Sequence, residues 1–215
     1  MLMTSRPLWA AETNCYVLGK DAGGPALIID APPDPEGVLA LLAQHRFIPA
    51  AVLLTHGHVD HMGGAGSLAR QNSVAVHVHP DDDFLTLAPE VQLRSLFGMV
   101  PEGDFAPPER LISLVDGQLL DLAGIALEVL HTPGHTPGHC CFHLAKEGIL
   151  FSGDQLFAGS IGRTDLPGGS YPQLMASMAA KVVTLPPETR VLPGHGPATT
   201  LATELRTNPF LEELR

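Results

Sequence analysis

The chain has 215 residues, 45% of them hydrophobic and 16% charged, with a formal net charge of −11 that leaves 11 histidines uncounted. That length suits a single domain, 1–215, with a sizeable core, and the composition excludes a disordered chain. The acidic balance, with no basic run, argues against nucleic acid and anionic membrane as partners, and no apolar stretch approaches a membrane span.

Residues 1–31 read as strands, with short apolar runs at 15–18 and 26–29 separated by a turn at 20–25. Asp30 ends the second run. Asp34 is placed to cap a helix that Pro35 begins, with Val38, Leu39, Leu41, Leu42 and His45 as its stripe. Residues 50–54 read as a buried strand, 61–71 as a helix anchored by Leu68, and 74–78 as another strand. Residues 84–110 lack a clean period, are broken by Pro101-Glu102-Gly103-Asp104 and Pro107-Pro108, and read as a short helix and a loop. Strands follow at 111–115, 118–122, 125–130, 140–144 and 148–151, with Asp116-Gly117 and Ala123-Gly124 as hairpin turns. A helix over 170–183 carries Leu174, Met175, Met178 and Val182 on one side. A strand at 191–192 comes next. Thr207 or Asn208 caps a final short helix, with Phe210 and Leu214 packing inward. This order predicts two sheets with helices outside.

Chemistry concentrates in Thr55-His56-Gly57-His58-Val59-Asp60-His61, directly after the buried run 50–54. Imidazole and carboxylate suit zinc and other borderline divalent metals. His56 and His58 are two apart and point the same way on an extended chain. Asp60 and His61 follow the turn and can face a second point, so one segment could serve two adjacent metals. Three further places offer ligands at strand ends beside glycine: 131–139, with His131, His135 and His139; Phe151-Ser152-Gly153-Asp154; and Leu192-Pro193-Gly194-His195-Gly196. Glycine lets the backbone come close and turn sharply. His139 reads as a residue that orients or packs beside a ligand. Thr55 and Ser152 can hydrogen-bond around the site or simply end their strands. The remaining histidines, His45, His77, His79 and His143, read as structural or surface residues. The three cysteines, Cys15, Cys140 and Cys141, are too few and too odd for a disulfide framework and read as buried thiols of a reducing cytosol. With no leader pattern at residues 1–7, a cytoplasmic location is expected.

The motifs T-H-x-H-x-D-H at 55–61, T-P-G-H at 132–135, G-D at 153–154 and P-G-H-G at 193–196 stand together in one order. In this the chain resembles the metallo-β-lactamase superfamily, and within it the glyoxalase II-like hydrolases. The resemblance implies an α+β fold, a four-layer αβ/βα sandwich of two mixed sheets with helices outside. It also implies a ligand set: His56, His58 and His135 on one metal, Asp60, His61 and His195 on the other, and Asp154 bridging. The implied cofactor is two divalent ions, zinc first, with iron or manganese as alternatives. Two such ions supply hydroxide at neutral pH and polarise a carbonyl. Asp60 and Asp154 are the carboxylates nearest that chemistry. A thiol, with a pKa of about 8.5, leaves without protonation, which favours a thioester, and the resemblance implies a small-molecule thioester of the S-lactoylglutathione type as the partner. The Gly162-Arg163-Thr164-Asp165 element is similar to one shared by short glyoxalase II-like proteins and persulfide dioxygenases. The alternative function is therefore a mononuclear-iron dioxygenase using His56, His135 and Asp154. Only residues 196–215 follow His195, so the helical C-terminal region of classical glyoxalase II is expected to be missing. Arg163 either grips a substrate carboxylate or pairs with Asp165, and Tyr171 either borders the pocket or packs a helix start.

Overall fold

The structure, a computed structural model, describes residues 1–103 and 105–214. Asp104, within the break read at 101–104, and Arg215 lie outside the described residues. Contacts divide the chain into two compact units: Met1–Leu114 with Asp121–Ile125, and Val115–Leu120 with Ala126–Arg215.

The first unit is built on a six-stranded sheet of β1 (Leu2–Leu8), β2 (Thr13–Gly19), β3 (Pro25–Ile29), β4 (Ile48–Leu53), β5 (Ala75–Val78) and β6 (Leu111–Ser113), in that order. β1 to β3 are antiparallel neighbours, and β3 to β6 are parallel. Parallel neighbours need crossover segments, and strands covered on both faces read as continuous apolar runs. The crossovers are α1 (Pro35–Gln44), then α2 (Val59–Met62) with α3 (Ala65–Asn72), then α4 (Asp83–Thr86) with α5 (Pro89–Phe97). The cap read from Asp34 is present: its carboxylate accepts from Gly37 N (2.9 Å), satisfying one orphan donor of α1. Val38, Leu41 and Leu42 face inward, while Leu39 points out. They share a core with Val17, Ile28, Leu54, Leu68 and Val76.

The helix read over 61–71 is instead two helices, α2 and α3, parted at Gly63-Gly64. There Gly64 N donates to Ala31 O (2.9 Å), outside any helical pattern. A Cβ on Gly64 would lie 2.1 Å from Pro32 O, so the approach requires glycine.

The second sheet has the order β14-β13-β10-β9-β8-β7. Its strands are β7 (Leu119–Leu122), β8 (Ile125–His131), β9 (Cys140–Leu144), β10 (Ile149–Gly153), β13 (Arg190–Pro193) and β14 (Thr199–Thr200), and β11 (Leu156–Phe157) pairs separately with β12 (Ser160–Ile161). β10 and β13 are parallel; β8 with β9, β9 with β10, and β13 with β14 are antiparallel. Ala123 and Gly124 both adopt positive φ, as a tight two-residue hairpin turn demands. Asp116-Gly117 is not a hairpin turn. β6 belongs to the first sheet and β7 to the second, so the chain changes sheets there, and Gly117 N donates to Val129 O (2.8 Å).

α6 (Tyr171–Ser177) continues as a π-helical turn over Met178–Val182, burying Leu174, Met175, Met178 and Val182 as read. Near the C-terminus α7 (Leu201–Thr207), capped by Thr200, precedes a 3₁₀ helix over Pro209–Leu214. The three-residue period of that helix turns Leu211 and Leu214 toward the core and leaves Phe210 outside, against the inward packing expected of it. The α+β class holds, with two mixed sheets and their helices. No helix among the described residues is long and apolar enough to cross a membrane.

Candidate metal centre

In the first unit the ligand-rich loop leaves the carboxyl end of β4, between parallel neighbours, where open α/β sheets place their ligands. His56, His58 and His61 are buried and Asp60 is partly exposed. His56 Nε2 lies 3.1 Å from His58 Nδ1, and His61 Nε2 lies 3.5 Å from Asp60 Oδ2. The rings of His56 and His61 are 4.1 Å apart.

One residue whose role sequence reasoning missed organises this group. Asp30 turns at the end of β3 with φ 58°, a left-handed conformation that aspartate tolerates. Its Oδ1 accepts from Thr55 N (2.8 Å), and its Oδ2 accepts from Thr55 Oγ1 (2.8 Å) and His61 Nδ1 (2.8 Å). Thr55 Oγ1, donating to Asp30, is left to accept from His56 Nδ1 (3.0 Å). One carboxylate oxygen therefore draws the protons of His56 and His61 onto Nδ1 and frees Nε2 as the basic atom. The available signal was a carboxylate closing the apolar run 26–29, where burial demands a partner. Thr13 Oγ1 donates to Asp60 Oδ2 (3.3 Å), and Asp82 Oδ2 accepts from Gly57 N (2.7 Å). Neither contact had a sequence signal.

In the second unit β10 and β13 end side by side, with Gly153 opposite Pro193 and Gly194 N donating to Gly153 O (2.8 Å). That parallel register delivers Asp154 and His195 to one place, with Asp154 Oδ2 3.7 Å from His195 Nε2. The loop joining β8 to β9 brings His135, whose Nε2 is 3.4 Å from the same carboxylate oxygen. His135 Nδ1 donates to Arg163 O (2.7 Å), which again leaves Nε2 basic. The loop is seated on α6: Ser170 N donates to Gly134 O (2.7 Å), and a Cβ on Gly134 would lie 2.2 Å from Leu174 N. His139 Nε2 accepts from Asp154 N (3.0 Å), and its Nδ1 bonds Thr132 Oγ1 (2.9 Å). His139 thus fixes the peptide that carries Asp154. His131 Nε2 bonds Pro137 O (2.8 Å).

The two residues read as substrate contacts lie at the surface of the second unit. The Arg163 guanidinium forks onto Asp165 through Nε to Oδ1 (2.8 Å) and Nη2 to Oδ2 (2.7 Å), with both side chains exposed. That guanidinium holds the Asp165 carboxyl down to about 2. Tyr171 is exposed at the first position of α6.

The donor set fits divalent metals. Four nitrogen and oxygen pairs at 3.1–3.7 Å bracket the separation of about 3.4 Å expected between atoms that share one tetrahedral ion at about 2.1 Å. Three of the rings are oriented by partners on the other nitrogen, as metal-ligating histidines are.

Comparison with known proteins agrees. The family described as the Metallo-beta-lactamase superfamily matches residues 9–195. The hydroxyacylglutathione hydrolase GloC of Haemophilus influenzae is 36% identical over 205 residues, covering 95% of each chain. The crystal structure of the BLEG-1 B3 metallo-beta-lactamase is 38% identical with a TM-score of 0.89, covering 98% of this chain and 100% of that one. A protein crystallised in a di-iron-bound form is 40% identical with a TM-score of 0.85, again covering 98% and 100%.

Proposed function

The chain belongs to the metallo-beta-lactamase superfamily, and from that premise we propose that this metal-dependent enzyme hydrolyses small acyl-thiol substrates of the S-lactoylglutathione type. The reading gives His56, His58 and His135 to one divalent ion, Asp60, His61 and His195 to a second, and Asp154 to both. Zinc is the first expectation, with iron or manganese as alternatives. The observation that carries the ligand set is the shared commitment of Nδ1 in His56, His61 and His135, which leaves Nε2 as the donor. Similarity to a hydroxyacylglutathione hydrolase over 95% of both chains supports the acyl-thiol substrate. Similarity to a di-iron-bound protein supports two ions.

A bound pair of divalent ions lowers the pKa of water and polarises a carbonyl. The chain's own residues do the rest. Thr13 holds Asp60 Oδ2, which fixes the carboxylate first as a ligand and secondarily as a group that orients the attacking water. His139 fixes the Asp154 peptide, and the Arg163 carbonyl fixes His135. A thiol leaves as thiolate near its pKa of about 8.5, so no general acid is required. Arg163 takes a substrate carboxylate by exchanging it for Asp165, and Tyr171 supplies a second substrate contact.

The test is metal analysis of protein purified without chelators, followed by assay on S-lactoylglutathione. The expected result is about two ions per chain and thioester hydrolysis that Asp154→Ala abolishes. One iron per chain, with oxygen uptake on a persulfide and no hydrolysis, overturns it in favour of the dioxygenase.

A further inference from the structure

The peptide groups on both sides of His58 are held by one side chain, Gln92 of α5, which the proposed mechanism does not use. Its amide oxygen accepts from Val59 N (3.1 Å), and its nitrogen donates to Gly57 O (2.9 Å) and Leu85 O (3.0 Å). One amide orientation serves all three, because one partner is a donor and two are acceptors. Val59 N is the first N–H of α2, an orphan donor of the helix, and the N-cap residue His58 supplies no side-chain cap. Gln92 caps α2 from outside and closes the loop from the Gly57 side as well. Its neighbour Leu93 is fully buried in a cluster with Val59 and Phe105, so α5 is seated on the loop by packing too.

His58 is the histidine for which this matters. His56, His61 and His135 present Nε2 and are steered by a partner on Nδ1. His58 instead turns Nδ1 toward His56 Nε2, so Nδ1 is its ligand atom. Nδ1 is also the ring nitrogen nearer the backbone, so the peptides at 57–59 govern its position directly. A Cβ on Gly57 would lie 2.8 Å from Leu85 Cβ and 3.0 Å from Asp82 O, so the loop lies hard against α4, to which Gln92 is tied through Leu85 O. Sites of this kind tolerate misplacement of about 0.5 Å before they weaken.

We propose that Gln92 is a positioning residue for the metal centre, setting the backbone on either side of His58 and thereby the aim of its Nδ1. The inference rests on His58 being a ligand, as in the proposed function.

Zinc affinity of the full chain, measured by competition with a chromophoric chelator, tests this without any substrate. Gln92→Ala should weaken zinc binding by about 10- to 100-fold, the range for residues that orient ligands. Gln92→Glu keeps the size and the acceptor for Val59 N but places an oxygen against two carbonyls. It should weaken binding similarly, and it serves if the alanine variant does not fold. Leu68→Ala, a fully buried core position, controls for instability: it should lower the thermal midpoint at least as far yet leave zinc affinity within about twofold of wild type. Wild-type affinity in both Gln92 variants, or an equal loss in Leu68→Ala, overturns the proposal. His58→Ala in the same titration separates the two readings, since undiminished affinity there removes His58 from the ligand set and this inference with it. Absence of thioester hydrolysis leaves the zinc readout intact.

Discussion

Asp30→Asn tests the tautomer argument with little change in shape. The native Asp30 Oδ2 is the sink of two converging chains: His61 Nδ1 donates to it directly, and His56 Nδ1 donates through Thr55 Oγ1. Asparagine can keep the Oδ1 bond to Thr55 N while placing an NH₂ where Oδ2 stood. Both chains then reverse. His61 Nδ1 must accept, Thr55 Oγ1 must accept from the amide and donate to His56, and both rings carry their proton on Nε2. The nitrogen that the proposed ligand set requires is then blocked on two histidines at once. The expected cost to metal affinity is about 10- to 100-fold, or roughly 1.4–2.7 kcal/mol. Stability should fall by only about 1–3 kcal/mol, because bonds to a charged acceptor become neutral ones without opening a cavity. Nitrogen-detected NMR of the metal-free protein reads the tautomers, and chelator competition reads the affinity. Wild-type affinity in Asp30→Asn, or Nδ1–H retained at both rings, refutes the reasoning.

Gly162→Ala places a methyl 1.9 Å from Asp154 O and 3.1 Å from His135 Nδ1, so it should destabilise by about 1–3 kcal/mol and lower metal content, as calorimetry and elemental analysis will report. Arg163→Ala should leave the thermal midpoint unchanged, because the Arg163–Asp165 fork is exposed, while raising the Asp165 carboxyl from about 2 toward the ordinary aspartate range in an NMR titration. A depressed carboxyl favours the fold above its unfolded pKa and loses that effect as pH falls toward about 2, so any contribution of this pair disappears across that acidic window. Burial pushes the Cys141 thiol up to about 12 and raises Cys15 as well. Both should resist a thiol reagent in the native protein at pH 8 and react once unfolded. Their contribution to stability should be full below the ordinary thiol pKa of about 8.5 and decline as pH rises above it, since the unfolded chain then releases protons the native one keeps.

The legible parts of this chain were those whose chemistry demands particular residue types. Strands at 15–18, 26–29 and 140–144 announced themselves as apolar runs, Asp34-Pro35 announced a helix start, and the histidine-rich turn announced a cluster of ligand-type side chains. The break between α2 and α3 was not legible, because Gly64 bonds to Ala31, a partner distant in sequence. Asp116-Gly117 has hairpin composition yet joins two sheets, and no local signal tells one use of a turn from the other. Residues 84–110 read as only one short helix and a loop because α4 and α5 are both short and expose Phe84, Leu87, Val91, Leu96 and Phe97. With so much apolar surface facing outward, no period could emerge.

The same division runs through the candidate site, and it follows from what each group must supply. A ligand needs a lone pair of a given kind, which only histidine, carboxylate or thiolate offers here, so ligand positions concentrate in recognisable spellings. A group that orients a ligand needs only a hydrogen-bond donor or acceptor at the right point, and almost any residue can provide one. For His56 the orienting group is a threonine hydroxyl, for His61 an aspartate, and for His135 the backbone carbonyl of Arg163, whose side chain points elsewhere. The Asp154 peptide is held by a histidine ring, and the peptides around His58 by a glutamine. Five solutions of the same physical problem use five different chemical groups, drawn from places as distant in sequence as residue 30 is from residue 61. The sequence therefore exposes which atoms can bind the metal, while the atoms that decide how well they bind become visible only once the chain is folded.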